Sequence, residues 1–126
     1  MKLILDSGAL VALERNERAM WRRLKSALAA GEIPITHGGV IGQVWRARGA
    51  RQALLSKALH GVEVRAIDDK LGREAGALLA RTGGRDVIDA AVVLLCEDGD
   101  VVVTSDVKDL SLLAKAAGRD LELWRA

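Results

Sequence analysis

The chain contains no phenylalanine and no tyrosine, and its only aromatic side chains are Trp21, Trp45 and Trp124. Three indoles cannot build a platform on which successive bases stack, so any nucleic-acid contact has to rest on phosphates and shape. The single cysteine, Cys96, excludes an internal disulfide and a thiolate cluster, and it fits a reducing cytoplasm. It ends the run "VVLLC" and reads as a buried structural thiol rather than a nucleophile. Histidine occurs only at 37 and 60. The two do not form a zinc pattern with one cysteine, and both are expected at the surface or in loops. No apolar run approaches the ~18 residues of a membrane span. The N-terminus opens like a signal peptide, but Asp6 and Glu14 interrupt it and no small-residue cleavage site follows, so it reads as mature sequence. "GEIP", "HGG" and "TGG" lack the glycine-to-Lys-Ser/Thr spacing of a phosphate-binding loop.

What is present is a chain of 126 residues, half of them apolar, the size of one domain with a real core. Short apolar runs alternate with helical stripes. Residues 2–6, 33–36, 62–67, 101–104 and 121–124 read as strands. Residues 8–30 read as helical with a break near Asn16, and 39–60 as helical with an interruption near Gly49. Further helices are expected at 68–82, at 86–98 up to Gly99, and at 108–117 up to Gly118. Pro34 suits the start or the edge of a strand. This alternation predicts an α/β fold, residues 1–126 as a single domain, with a parallel sheet of four to five strands and helices on both faces.

Two of those strands finish on an aspartate: "LILD" at Asp6 and "VVVTSD" at Asp106. In open α/β sheets, ligands bind beyond the carboxyl ends of the strands, where the strand order reverses. If the first and fourth strands are neighbours, their axes lie ~4.8 Å apart. Carboxylates held that close repel, so one takes a proton or a cation settles between them. Oxygen-only ligands favour Mg²⁺ or Mn²⁺. The competing explanation for either residue alone is a helix N-cap. The same ambiguity holds in "GGRDVIDAA", where Asp86 and Asp89 stand three apart and both favour a helix dipole. Because this helix leads directly into the fourth strand, its first turn is expected at the far end of the sheet from Asp6. A receiver domain would carry an acid pair on the first strand and a lysine on the last. A haloacid-dehalogenase-type phosphatase would carry an aspartate where Gly8 stands.

"ILDSGALVALE", "DVIDAAVV" and "VVVTSDVKDLSLLA" together resemble the PIN domain, in particular the VapC-type ribonuclease toxins of toxin–antitoxin pairs. The resemblance runs along essentially the whole chain. It implies a three-layer α/β/α fold with strand order 3-2-1-4-5, and a Mg²⁺- or Mn²⁺-dependent cut of single-stranded RNA at a cluster of acids. Carried over residue by residue, it gives Asp6, Asp106 and either Asp86 or Asp89 as metal ligands. Asp89 ranks ahead, because "DAAVV" continues unbroken into the apolar run. It implies a glutamate where "ITHGGVIGQVWR" has Gln43, a departure that removes one charge while leaving a carbonyl able to orient a metal-bound water. It also implies a homodimer and a small antitoxin whose peptide places an arginine among the carboxylates. Ser7, Thr104 and Ser105 flank the acids and are expected to hydrogen-bond them. The net charge is only +2, but Arg15, Arg18, Arg22, Arg23 and Lys25 crowd one segment. Arg46, Arg48 and Arg51 crowd another and would steer an RNA backbone. The rival reading is a catalytically silent PIN-like module that binds RNA or protein.

Overall fold

The computed structural model describes all residues from Met1 to Ala126. In chain order the elements are β1 (Leu3–Leu5), α1 (Ser7–Glu14), α2 (Arg18–Ala29), β2 (Ile35–His37), α3 (Gly38–Val44) and α4 (Ala50–Leu59). They continue with β3 (Glu63–Arg65), α5 (Asp69–Thr82), α6 (Val87–Leu94), β4 (Val101–Thr104), α7 (Val107–Ala116) and β5 (Glu122–Arg125). The five strands form one sheet of order β3-β2-β1-β4-β5, parallel throughout. This is the three-layer α/β/α fold.

The two central strands are apolar on both faces, because a parallel sheet covered by helices exposes neither. Leu3, Ile4, Leu5, Val101, Val102 and Val103 are all buried. α1 packs on α2, α3 and α4, while α5, α6 and α7 pack on one another. Right-handed crossovers explain the two groups: the chain steps from β1 to β2 to β3 in one direction and returns through β4 to β5 in the other. The reversal leaves β1 and β4 side by side at the switch point, with Leu5 level with Val103.

The breaks fall where the backbone needs them. Asn16 adopts φ 59° after α1, a left-handed conformation that asparagine tolerates better than most residues. Gly49 takes φ 89° before α4. Three boundaries differ from the sequence expectation. β2 begins after Pro34 and runs through His37, since proline lacks the amide that would extend the ladder. β3 shortens to three residues on the sheet edge. α6 stops at Leu94, because Asp100 accepts a hydrogen bond from the Glu97 amide (2.8 Å) and draws 96–100 into a turn before β4.

The course of α6 also corrects the sequence reading. A helix that delivers the chain to the start of β4 runs antiparallel to the sheet, so its first turn lies at the carboxyl ends of the strands. α5 supplies the extra length between β3 and β4. His37 at the end of β2 meets the Ile88 carbonyl in the first turn of α6 at 3.0 Å. No helix is long and apolar enough to cross a membrane.

Candidate metal and nuclease site

Asp6 follows β1 directly and is only 3% exposed. Its amide donates to the Val103 carbonyl (3.1 Å), which fixes it beside Thr104. The Thr104 hydroxyl donates to Asp6 Oδ2 (2.7 Å) and accepts from the Asp106 amide (2.9 Å), so one threonine ties together the two strand-end aspartates. Asp6 Oδ1 is buried and has no hydrogen-bond partner. Although Asp6 occupies the N-cap position of α1, its side chain caps nothing, and the same holds for Asp106 before α7. The capping explanation therefore fails for Asp6, while the Asp106 carboxyl lies near the Asp109 amide in the first turn of α7 without closing a well-formed cap hydrogen bond.

It succeeds for Asp86. Its Oδ1 accepts from the amides of Ile88 (2.9 Å) and Asp89 (3.1 Å), which makes it the N-cap of α6. Asp89, one turn on, is half-buried with no cap role. Burial pushes its carboxyl up to about 7, reinforced by the negative charges of Asp6, Asp86, Asp106 and Asp109. Asp106 is also raised, by desolvation first and then by Asp109 and Asp6. The charges of Asp6, Asp86 and Asp106 thus all act on Asp89, and of the two acids in "DVID" only Asp86 caps the helix. Asp109 is a fifth member that the sequence reading left unassigned. Its signal was the second acid in "TSDVKDL", which puts Asp109 in the first turn of α7. A cavity of about 190 Å³ opens here, between the end of α5, the start of α6 and α7, lined by Arg85, Asp86, Asp89, Asp109 and Leu112 among others.

The remaining expected residues divide. Ser7 and Gly8 begin α1 against the 104–105 turn, where a Cβ on Gly8 would stand 2.8 Å from the Ser105 amide nitrogen, so only glycine fits. Thr104 is the expected hydrogen-bond partner of a carboxylate. Ser7 and Ser105 are not, since their hydroxyls contact no carboxylate; Ser105 is exposed. Gln43 is exposed on the last turn of α3, and its side chain has no polar partner. Arg46 folds back on α3, donating to the carbonyls of Gly42 (3.1 Å), Gln43 (3.1 Å) and Trp45 (2.7 Å). A cation on the last carbonyls of a helix is a stabilising cap. Arg48 and Arg51 stay free of ion pairs and line a shallow groove with Glu14 and Gln52. Gln52 pins the preceding loop by accepting from the Arg46 (2.8 Å) and Ala47 (3.1 Å) amides and donating to Glu14 (2.6 Å).

His37 overturns the expectation of a surface or loop residue, because it is fully buried. Its Nδ1 accepts from the Gly39 (3.1 Å) and Val40 (3.4 Å) amides, capping α3, while Nε2 faces the Ile88 carbonyl. Burial lowers its pKa, opposed by the Ile88 hydrogen bond and by Asp6 and Asp86. Cys96 behaves as the sequence implied: burial pushes its thiol up to about 12, and Sγ donates to the Val92 carbonyl (3.3 Å). No three or more acidic, histidine or cysteine side chains are placed close enough together to hold a metal ion.

No family model and no curated relative match the sequence. Among solved structures, the chain is similar to a chain of VapBC2 from Rickettsia felis bound to a DNA fragment from their promoter. The two share 16% identity and a TM-score of 0.72, over 98% of this chain and 99% of that one. At that identity the likeness establishes the fold, a doubly wound sheet whose switch point carries the acids described above.

Proposed function

We propose that the chain is a metal-dependent endoribonuclease that cuts single-stranded RNA as the toxin of a toxin–antitoxin pair. The observation that carries this reading is Asp6 Oδ1, a buried acceptor without a donor, in a neighbourhood of further carboxylates. A buried carboxylate left half-satisfied among like charges is costly unless a cation completes it. A carboxylate oxygen as donor suits Mg²⁺ or Mn²⁺, which keep several waters and are held through one or two carboxylates, better than zinc, which wants a closed tetrahedron of nitrogen and sulfur ligands. The fold shared with a chain of the VapBC2 complex supports the same assignment and an antitoxin protein as partner; a homodimer as the working assembly is proposed on the sequence resemblance alone.

When bound, such an ion supplies Lewis-acid charge and an acidified water. Asp6 would hold it through Oδ1, the oxygen left without a partner, while Thr104 fixes Oδ2. Asp89 and Asp106 complete the negative field from α6 and the end of β4, and Asp86 fixes the first turn that carries Asp89. Of the three arginines at 46, 48 and 51, Arg48 and Arg51 are the two left free to bind the phosphates of the substrate strand.

The test is cleavage of a single-stranded RNA panel by the purified chain, freed of any bound partner protein, with Mg²⁺ or Mn²⁺. Cleavage that chelation stops and Asp6→Asn abolishes is the expected result. Metal-independent cleavage, or none across the panel, overturns it. One feature favours the rival, a silent RNA- or protein-binding module: the exposed, unpartnered amide of Gln43 where the resemblance implies a glutamate. That reading requires RNA or protein binding without Mn²⁺ binding, which calorimetry separates.

A further inference from the structure

We propose that His37 is a positioning residue: its imidazole ties the carboxyl end of β2 to the first turn of α6 and so sets where Asp89 stands relative to Asp6. The ring is fully buried, and each of its nitrogens is engaged with a different element. Nδ1 accepts from the Gly39 and Val40 amides of α3, so it carries no proton, and Nε2 must be the N–H that donates to Ile88. Ile88 directly precedes Asp89, and its carbonyl lies in the turn that Asp86 caps. β2 is hydrogen-bonded to β1, which ends at Asp6. The ring therefore bridges α6, which carries Asp89, to β2, the sheet neighbour of the strand that Asp6 follows.

Gly39 is the second observation. A Cβ there would stand 2.9 Å from His37 Cε1 and 3.2 Å from Ile88 Cγ1. α3, the ring and α6 are thus wedged together at a point where only glycine leaves room. No other side-chain hydrogen bond links β2 or α3 to α6.

The two nitrogens separate the tethering role from the capping role. His37→Asn keeps an acceptor near the Nδ1 position but cannot reach Ile88. His37→Gln keeps a donor near the Nε2 position and loses the cap. Expected for His37→Asn are a thermal midpoint lowered less than in His37→Gln and faster amide exchange in the first turn of α6, by about 5- to 10-fold, the factor one hydrogen bond carries. Mn²⁺ affinity should fall about tenfold, as for other residues that orient a metal ligand. His37→Gln should melt lower yet restore both the exchange protection and the Mn²⁺ affinity. Unchanged exchange at Ala90 and Ala91 in His37→Asn overturns the proposal, as does equal loss of every property in both variants. The exchange measurement needs neither metal nor RNA. The Mn²⁺ arm and the kinetic arm, a lower kcat for His37→Asn at unchanged KM, rest on the proposed metal-dependent nuclease. If wild type cuts no RNA while the exchange difference stands, the nuclease reading fails and the tether survives. If wild type cuts RNA and His37→Asn cuts it equally with unchanged exchange, the tether fails alone.

Discussion

Two buried aspartates bracket the same pair of strands. Asp100 stands just before β4, at the amino ends, and Asp6 just after β1, at the carboxyl ends; each is 3% exposed. Asp100 is fully answered. Its Oδ1 accepts from the Lys2 amide (2.7 Å), its Oδ2 from the Glu97 amide (2.8 Å), and the Lys2 ammonium lies 3.8 Å away. Asp6 receives one hydroxyl on Oδ2, nothing on Oδ1, and faces further acids instead of a cation. Residue type, burial and strand pair are shared, so none of them separates structure from function. What separates them is whether the carboxylate's lone pairs are saturated and what sign its neighbours carry.

The sharpest break of this comparison is to remove the charge at each end. Asp100→Asn should cost roughly 2 kcal/mol of stability, because an amide would turn its own donors toward a backbone N–H that the carboxylate accepted, and charge-assisted hydrogen bonds carry about that much. Activity per folded molecule should survive. Asp6→Asn should do the reverse, abolishing cleavage while the melting temperature of the metal-free protein holds or rises. Thermal melts and cleavage assays run side by side decide it: unfolding of Asp6→Asn would make the two aspartates alike after all.

A smaller effect follows from Asp89. In the fold its carboxyl keeps a proton up to about 7, whereas the unfolded chain releases it near the ordinary 3.8. Between those values the native state binds the extra proton, so the metal-free protein should lose stability as pH rises from about 4 to about 7 and then level off. Mn²⁺ competes with that proton, so its affinity should climb over the same window. Asp89→Asn should flatten the stability curve, which denaturant melts across pH would reveal.

Next comes the division of labour on α6. Asp86→Ala should cost about 1 kcal/mol through the lost cap, with Mn²⁺ affinity falling less than in Asp89→Asn. Asp89→Asn should weaken Mn²⁺ binding without loss of stability. Titration calorimetry and melts on the two variants check the pair.

The smallest expected change is at Gln43. Gln43→Glu adds one exposed negative charge and should tighten Mn²⁺ binding only a few-fold, most at low ionic strength, since an exposed charge is screened within ~10 Å at 0.1 M salt. Equal affinity at low and high salt would place position 43 outside the field of the carboxylates.

Much of this was legible along the chain. Leu3–Leu5 and Val101–Thr104 are continuous apolar runs because a covered parallel sheet needs them, and their abrupt ends at Asp6 and Asp106 marked the carboxyl edge. Asn16 and Gly49 announced the helix breaks through their tolerance of positive φ. The positions that misled were those where one residue type serves two ends. Asp86 and Asp89 both suit a first helical turn, and only the hydrogen bonds from Ile88 and Asp89 assign the cap to Asp86. His37 reads as a surface or loop residue because it falls between the expected strand at 33–36 and the expected helix from 39, yet β2 runs through it and it meets α6 at the Ile88 carbonyl. Arg46, one of three arginines with equal claims on a polyanion, is engaged on its own helix.

The sequence by itself determined the order of strands and helices, the two acids that end β1 and β4, and the poverty of aromatic and thiol chemistry. Those are local properties: period, propensity and composition act within a few residues of each position. Only the tertiary structure decided which acids face one another, which of them caps a helix, that Asp6 keeps an unanswered oxygen while Asp100 keeps none, and that a buried histidine joins β2 to α6. These depend on contacts such as Thr104 to Asp6, 98 residues apart, and His37 to Ile88, 51 apart. Pairings at that separation come into being when the strand order turns back after β3 and sets β4 beside β1, and they depend on side-chain orientation that no local pattern encodes.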